Sequence, residues 1–145
     1  MPEKVTLERA EQDKREGKSP STQAGEFVRE EIHHIREGKH GAASAKQAVA
    51  IGLSKARRAG VDLAPPKKGS VSEKTRKSAA RDSSHGHSRK KKAVSARRSR
   101  SSEAALKREP RSAASHKALS RQAKSAARTR RKPATRTTHS RRKAA

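Results

Sequence analysis

Phe27 is the only phenylalanine in the 145-residue chain, and there is no tyrosine or tryptophan. A hydrophobic core is built mainly from Leu, Ile, Val and aromatic side chains, each worth roughly 1.5–3 kcal/mol when buried. Ordering the backbone costs about 1–2 kcal/mol per residue. Hydrophobic residues make up 28% of this chain and many of them are alanine, so few groups are available to offset that cost. The net charge of +25, from 39 Lys+Arg against 14 Asp+Glu, adds self-repulsion that an anionic polymer would relieve. Low hydrophobicity joined to high net charge is the signature of disorder, so only a small helical element is expected to fold.

The charge is unevenly spread. Residues 1–66 hold 12 Lys+Arg and 10 Asp+Glu, whereas residues 67–145 hold 27 and 4. Pro65-Pro66 disfavours helix in itself and at Ala64, and marks the boundary. The expected architecture is mostly α with extensive disorder: a small N-terminal helical hairpin of two to three helices, then a disordered basic tail. In residue numbers this means a first helix within 1–18, the hairpin over 19–62, a Pro-containing linker over 63–69 and a disordered Lys/Arg/Ser/Ala-rich tail over 70–145.

Helix signals support the first half of that reading. The first helix is expected over residues 5–16, with Gly17 as its stop. Ser19-Pro20 places a capping serine before a proline at the first helical position. Ala24, Phe27, Val28, Ile32 and Ile35 then make one apolar stripe up to Gly38. Ser44-x-x-Gln47 is a capping box, and Ala45, Ala48, Val49, Leu53 and Ala56 make a second stripe that closes at Gly60. Phe27 is expected to pack on the Val49/Leu53 face. So small a unit is marginal alone, and a homodimer through this helical head would help it.

Glu37-Gly38-Lys39, Ser44, and the run from Lys46-Gln47-Ala48 to Ala56-Arg57-Arg58-Ala59-Gly60 resemble a short domain of small, basic, largely uncharacterised bacterial proteins. The resemblance covers roughly residues 26–62; it implies a bacterial origin and carries no mechanism. By composition alone, the tail resembles those of linker histones and bacterial histone-like proteins.

The second half bears most directly on function. Lys77-Ser78-Ala79-Ala80-Arg81 recurs as Lys124-Ser125-Ala126-Ala127-Arg128, with Arg111-Ser112-Ala113-Ala114 a near copy. Basic clusters lie among these repeats: Arg89, Lys90, Lys91 and Lys92; Arg97, Arg98 and Arg100; Arg128, Arg130, Arg131 and Lys132; Arg141, Arg142 and Lys143. Such clusters neutralise phosphates and release counterions, giving affinity without sequence information. These fourteen residues are the expected nucleic-acid contacts. Lys55, Arg57 and Arg58 join them if the second and third helices act as a helix-turn-helix with Lys46 and Gln47. Residues 38–43 are, however, longer than the usual 3–4-residue turn of that motif. Ala118, Leu119, Gln122, Ala123, Ala126 and Ala127 keep helical spacing, and this stretch is expected to coil only once phosphates cancel its repulsion.

Duplex DNA is the expected partner, because single-strand RNA recognition usually needs aromatic stacking platforms. An RNA- or ribosome-associated role is the alternative, and a helical head that binds proteins while the tail only localises it is another. There is no cysteine. His33-His34 with His40, and His85-Gly86-His87, are read as incidental histidines, for want of a carboxylate or thiolate at recognised spacing, so no metal or cofactor is expected. No nucleophile triad, phosphate loop or H-E-x-x-H appears, so neither an enzyme nor a small-molecule substrate is expected. The sequence holds no apolar run of signal-peptide or membrane length. A cytoplasmic, nucleoid-associated, histone-like protein is the resulting expectation.

Overall fold

Ser19, Ser44 and Ser72 each accept a hydrogen bond on Oγ from the backbone N–H three residues on, at 3.3, 3.1 and 3.2 Å, and a helix begins after each. Gly17, Gly38 and Gly60 end helices with φ of +72°, +80° and +95°, backbone that only glycine adopts without strain. The computed structural model describes residues 2–88 and 95–131. These form α1 (Lys4–Arg15), α2 (Pro20–Arg36), α3 (Ala45–Arg58), α4 (Glu73–His87), α5 (Ala96–Lys107) and α6 (His116–Arg131), with a 3-10 turn at Arg111–Ala114. No helix among the described residues is long and apolar enough to cross a membrane.

The antiparallel α2–α3 pair is the centre. It closes tightly because Gly52 has no side chain: a Cβ there would stand 2.6 Å from Val28 Cα. Phe27, 1% exposed, packs with Ala10, Ala24, Ala56 and Val61, and Leu53 and Leu63 lie against that cluster. Leu53 is thus beneath Phe27 as expected, whereas Val49 is half-buried outside the cluster. A second cluster joins Ile35, Ala42 and Ala48 to Ala113 and Ala114 of the 3-10 turn.

The expectation of a small hairpin followed by a long disordered tail is overturned. Helices continue to Arg131. α4 packs on α3; the 3-10 turn packs on α2 and α3; α6 packs on α3 and the turn. The residue count of large apolar groups understated what alanine and glycine can do. Gly86 lets α4 approach so closely that a Cβ would strike the Arg57 carbonyl, and Gly41 does the same against Glu109. Gly41 N–H donates to Leu106 O at 2.9 Å and Ala42 N–H to Pro110 O at 3.2 Å. The 37–44 loop, too long for a helix-turn-helix, is the docking edge for this second layer. The stretch expected to coil only on binding is α6, already helical and half-covered along Ala118, Leu119, Gln122 and Ala126.

Candidate nucleic-acid interface

The Lys-Ser-Ala-Ala-Arg repeat acquires a structural meaning on these helices. In α4, Ala79 is 6% exposed and faces α3, while Lys77 and Arg81 point out. In α6, Ala126 and Ala127 are half-buried, while Lys124 and Arg128 point out. Each copy sets two cations four residues apart on the outward face and alanine on the inward one.

Extended along α6, the outward set is Lys117, Arg121, Lys124, Arg128 and Arg131, all exposed. At 3.6 residues per turn these fall within about 40° of one line down the helix, over about 21 Å of rise. One strand of duplex DNA presents about six phosphates in that length. In α4 the corresponding stripe is Lys74, Lys77 and Arg81, again exposed. None of these eight makes an ion pair among the described residues, whereas three of the region's four carboxylates are already engaged: Glu73 by Arg76, Asp82 by Arg58 and Glu103 by Lys107. Lys107 holds the Glu103 carboxyl below the usual carboxylate range.

The start of α5 adds a third cationic element. Ser95 makes no side-chain cap and the first turn holds no acid, while Arg97, Arg98 and Arg100 are exposed there. Arginines beside the positive end of a helix dipole raise the local potential and are relieved by an anion.

Of the fourteen residues expected from sequence, Arg97, Arg98, Arg100, Arg128, Arg130 and Arg131 lie on exposed helical surface, with Arg130 off the α6 stripe. Arg89, Lys90, Lys91, Lys92, Lys132, Arg141, Arg142 and Lys143 lie outside the described residues. Lys74, Lys77, Arg81, Lys117, Arg121 and Lys124 were missed, because sequence runs were read for density of charge and not for helical phase. The residues considered on α3 are largely engaged within the protein. Arg57, 6% exposed, donates to the carbonyls of Leu63 and Ala64 at 3.2 and 3.3 Å, and burial pushes its pKa down. Arg58 Nε donates to Asp82 Oδ1 at 3.1 Å, although its side chain stays 60% exposed. Gln47 Oε1 accepts from Ala43 N–H at 2.7 Å. Lys55 Nζ lies 2.6 Å from Glu31 Oε2 and 3.7 Å from Glu30 Oε1.

That last contact belongs to a buried charge cluster where α2 meets Lys55 of α3 and His40 of the loop. Glu31 is 0% and Glu30 6% exposed. His40 Nε2 is 3.4 Å from Glu31 Oε1, His34 Nδ1 is 4.0 Å from Glu30 Oε1, and Glu3 N–H donates to Glu30 Oε2 at 3.2 Å. The His34 hydrogen bond, followed by Lys39, holds the Glu3 carboxyl below its usual range. His33 is exposed and takes no part, and among the described residues His85 and His87 join no group of three such ligands. The carboxylate partner for His34 and His40 was overlooked in the sequence, although Glu31 stands three residues before His34, one helical turn away.

Comparison with known proteins adds one match. Residues 14–68, the end of α1 through α3 and the segment after it, match the model of a family of unknown function (DUF6496). No curated protein and no solved structure matches the chain. The matched stretch spans the helical centre, and α4 to α6 lie outside it.

Proposed function

We propose that this protein binds nucleic acid without catalysis, duplex DNA foremost, as a nucleoid-associated protein with little sequence preference. The observation that carries the reading is the pair of outward cationic stripes on α4 and α6, each containing one copy of the Lys-Ser-Ala-Ala-Arg unit and making no ion pair among the described residues. Phosphate contacts of this kind position a protein on a duplex and carry no base information. The choice of duplex is supported by the burial of Phe27 at 1% exposure, which leaves no Phe, Tyr or Trp to stack unpaired bases.

Fluorescence anisotropy of the full chain with a labelled DNA duplex, across a salt series, tests this. If the eight stripe cations each meet a phosphate, log K falls with log salt at a slope of about −7 from these residues alone. Replacing Lys117, Arg121, Lys124, Arg128 and Arg131 by Gln is expected to make the slope shallower by about 4.5. An unchanged slope would remove α6 from the interface. Structured RNA of equal length that outcompetes the duplex would favour the RNA-associated reading instead.

A further inference from the structure

Glu31 is fully buried, and neither of its carboxylate oxygens accepts a hydrogen bond; Glu30 Oε1 beside it is in the same condition. Buried carboxylates need compensating positive charge and hydrogen bonds. Lys55 supplies one charge for the two. The remaining neighbours are two imidazoles, and their outer contacts fix which nitrogen each turns inward. His40 Nδ1 is 3.0 Å from Gly41 O, and a carbonyl only accepts, so Nδ1 carries the proton. His34 Nε2 is 2.9 Å from Glu3 Oε1, an ionised carboxylate, so Nε2 carries the proton there. The nitrogens left over, His40 Nε2 and His34 Nδ1, face Glu31 Oε1 and Glu30 Oε1. Each inward nitrogen therefore faces a carboxylate oxygen across one small space, and a positive charge, either a second ring proton or a metal ion, is what reconciles them.

We propose that Glu31, His34 and His40 form a binding site for a divalent transition-metal ion such as zinc. Their ligand atoms lie within 4.8 Å of one another. The 3.4 Å between His40 Nε2 and Glu31 Oε1 is already the spacing of two ligands held about 2.1 Å from a tetrahedral zinc, which is about 3.4 Å. Imidazole and carboxylate suit such an ion. An outer carbonyl or carboxylate on the opposite ring nitrogen is how proteins orient metal-binding histidines, and Gly41 O and Glu3 fill those places. Lys55 would keep the second Glu31 oxygen as an outer partner. The ion joins α2 to the loop whose Gly41 N–H holds Leu106, so binding also braces the edge on which the basic layer docks. The inference is independent of what that layer binds.

Zinc titration of the chelator-stripped full chain, read by competition with a chromogenic chelator, tests the site. One ion per chain is expected, with affinity lowered at least about tenfold in Glu31→Gln and in His40→Ala, and unchanged in a His85→Ala/His87→Ala control. Wild-type affinity no tighter than that of a His34→Ala/His40→Ala variant would overturn the proposal, as would loss of binding only in the control. Should the variants fail to fold, cobalt in the wild-type chain decides: bands of a low-coordinate nitrogen/oxygen site support it, and the spectrum of hydrated cobalt overturns it. Nitrogen NMR showing both rings doubly protonated at neutral pH and unmoved by zinc would mean that protons fill the site, and would also overturn it.

Discussion

Between α2 and α3 the large buried side chain is Phe27, whereas α4 and the 3-10 turn contribute only Ala79, Ala113 and Ala114, the last two packed against Ile35 of α2. The first region is held by large groups whose burial contributes most of its stability. The second is held by small faces, by glycines that let backbones meet, and by two backbone hydrogen bonds from the 37–44 loop. The difference explains how a chain with one Phe and no Tyr or Trp builds the six helices of its described residues: the centre folds in the ordinary way and the basic layer leans on it. It also separates the tasks, since a layer with little to bury can line its outward face with stripes of Lys and Arg.

The largest test of this dependence is Phe27→Ala. Removing a fully buried ring is expected to cost about 3–5 kcal/mol, and because α4 and α6 dock on α3, both regions should melt together by circular dichroism. Retention of α4 and α6 helix after the centre has melted would mean the basic layer stands alone. Lys55→Met comes next, leaving the buried Glu30 and Glu31 pair without its ammonium, at a cost of about 3 kcal/mol to be read from the denaturation midpoint of metal-free protein. Gly41→Ala should act in the other direction and split the regions. Its Cβ would enter the Glu109 carbonyl, so overpacking of about 1–3 kcal/mol is expected at the docking edge. Residues 106–131 should lose amide protection while the α2–α3 pair keeps it. Ser44→Ala, which removes the oxygen that accepts from Gln47 N–H, is expected to cost about 1 kcal/mol, seen as a small shift in the melting temperature of the centre.

The same comparison shows what was legible in the sequence. Ser19, Ser44, Gly17, Gly38 and Gly60 are local signals acting within a few residues of themselves, and the helix ends at these positions follow them. Phe27 and Leu53 on facing stripes gave the first packing contact. The second layer was illegible for two physical reasons. Its apolar content is alanine, which looks the same in a solvated helix and in one pressed against a neighbour. Its anchors, such as Gly41 to Leu106 and Gly86 against Arg57, join residues far apart in the chain and leave no periodic trace. The repeat was visible as Lys-Ser-Ala-Ala-Arg, but only its charge was read; counted at four-residue spacing, it also places Ala79 inward and Lys77 with Arg81 outward. The cluster around Glu31 was half-visible, because His34 is one turn from it on α2 whereas His40 arrives from the loop.

Hydrogen exchange on the free full-length protein, repeated with saturating duplex DNA, tests most directly whether the basic layer is a folded surface before it meets a ligand. Amides of α4 (Glu73–His87) and α6 (His116–Arg131) are expected to be protected without DNA, with the same boundaries when DNA is bound. Exchange of both helices at unstructured rates in the free protein, with protection appearing only on DNA, would contradict a preformed basic layer.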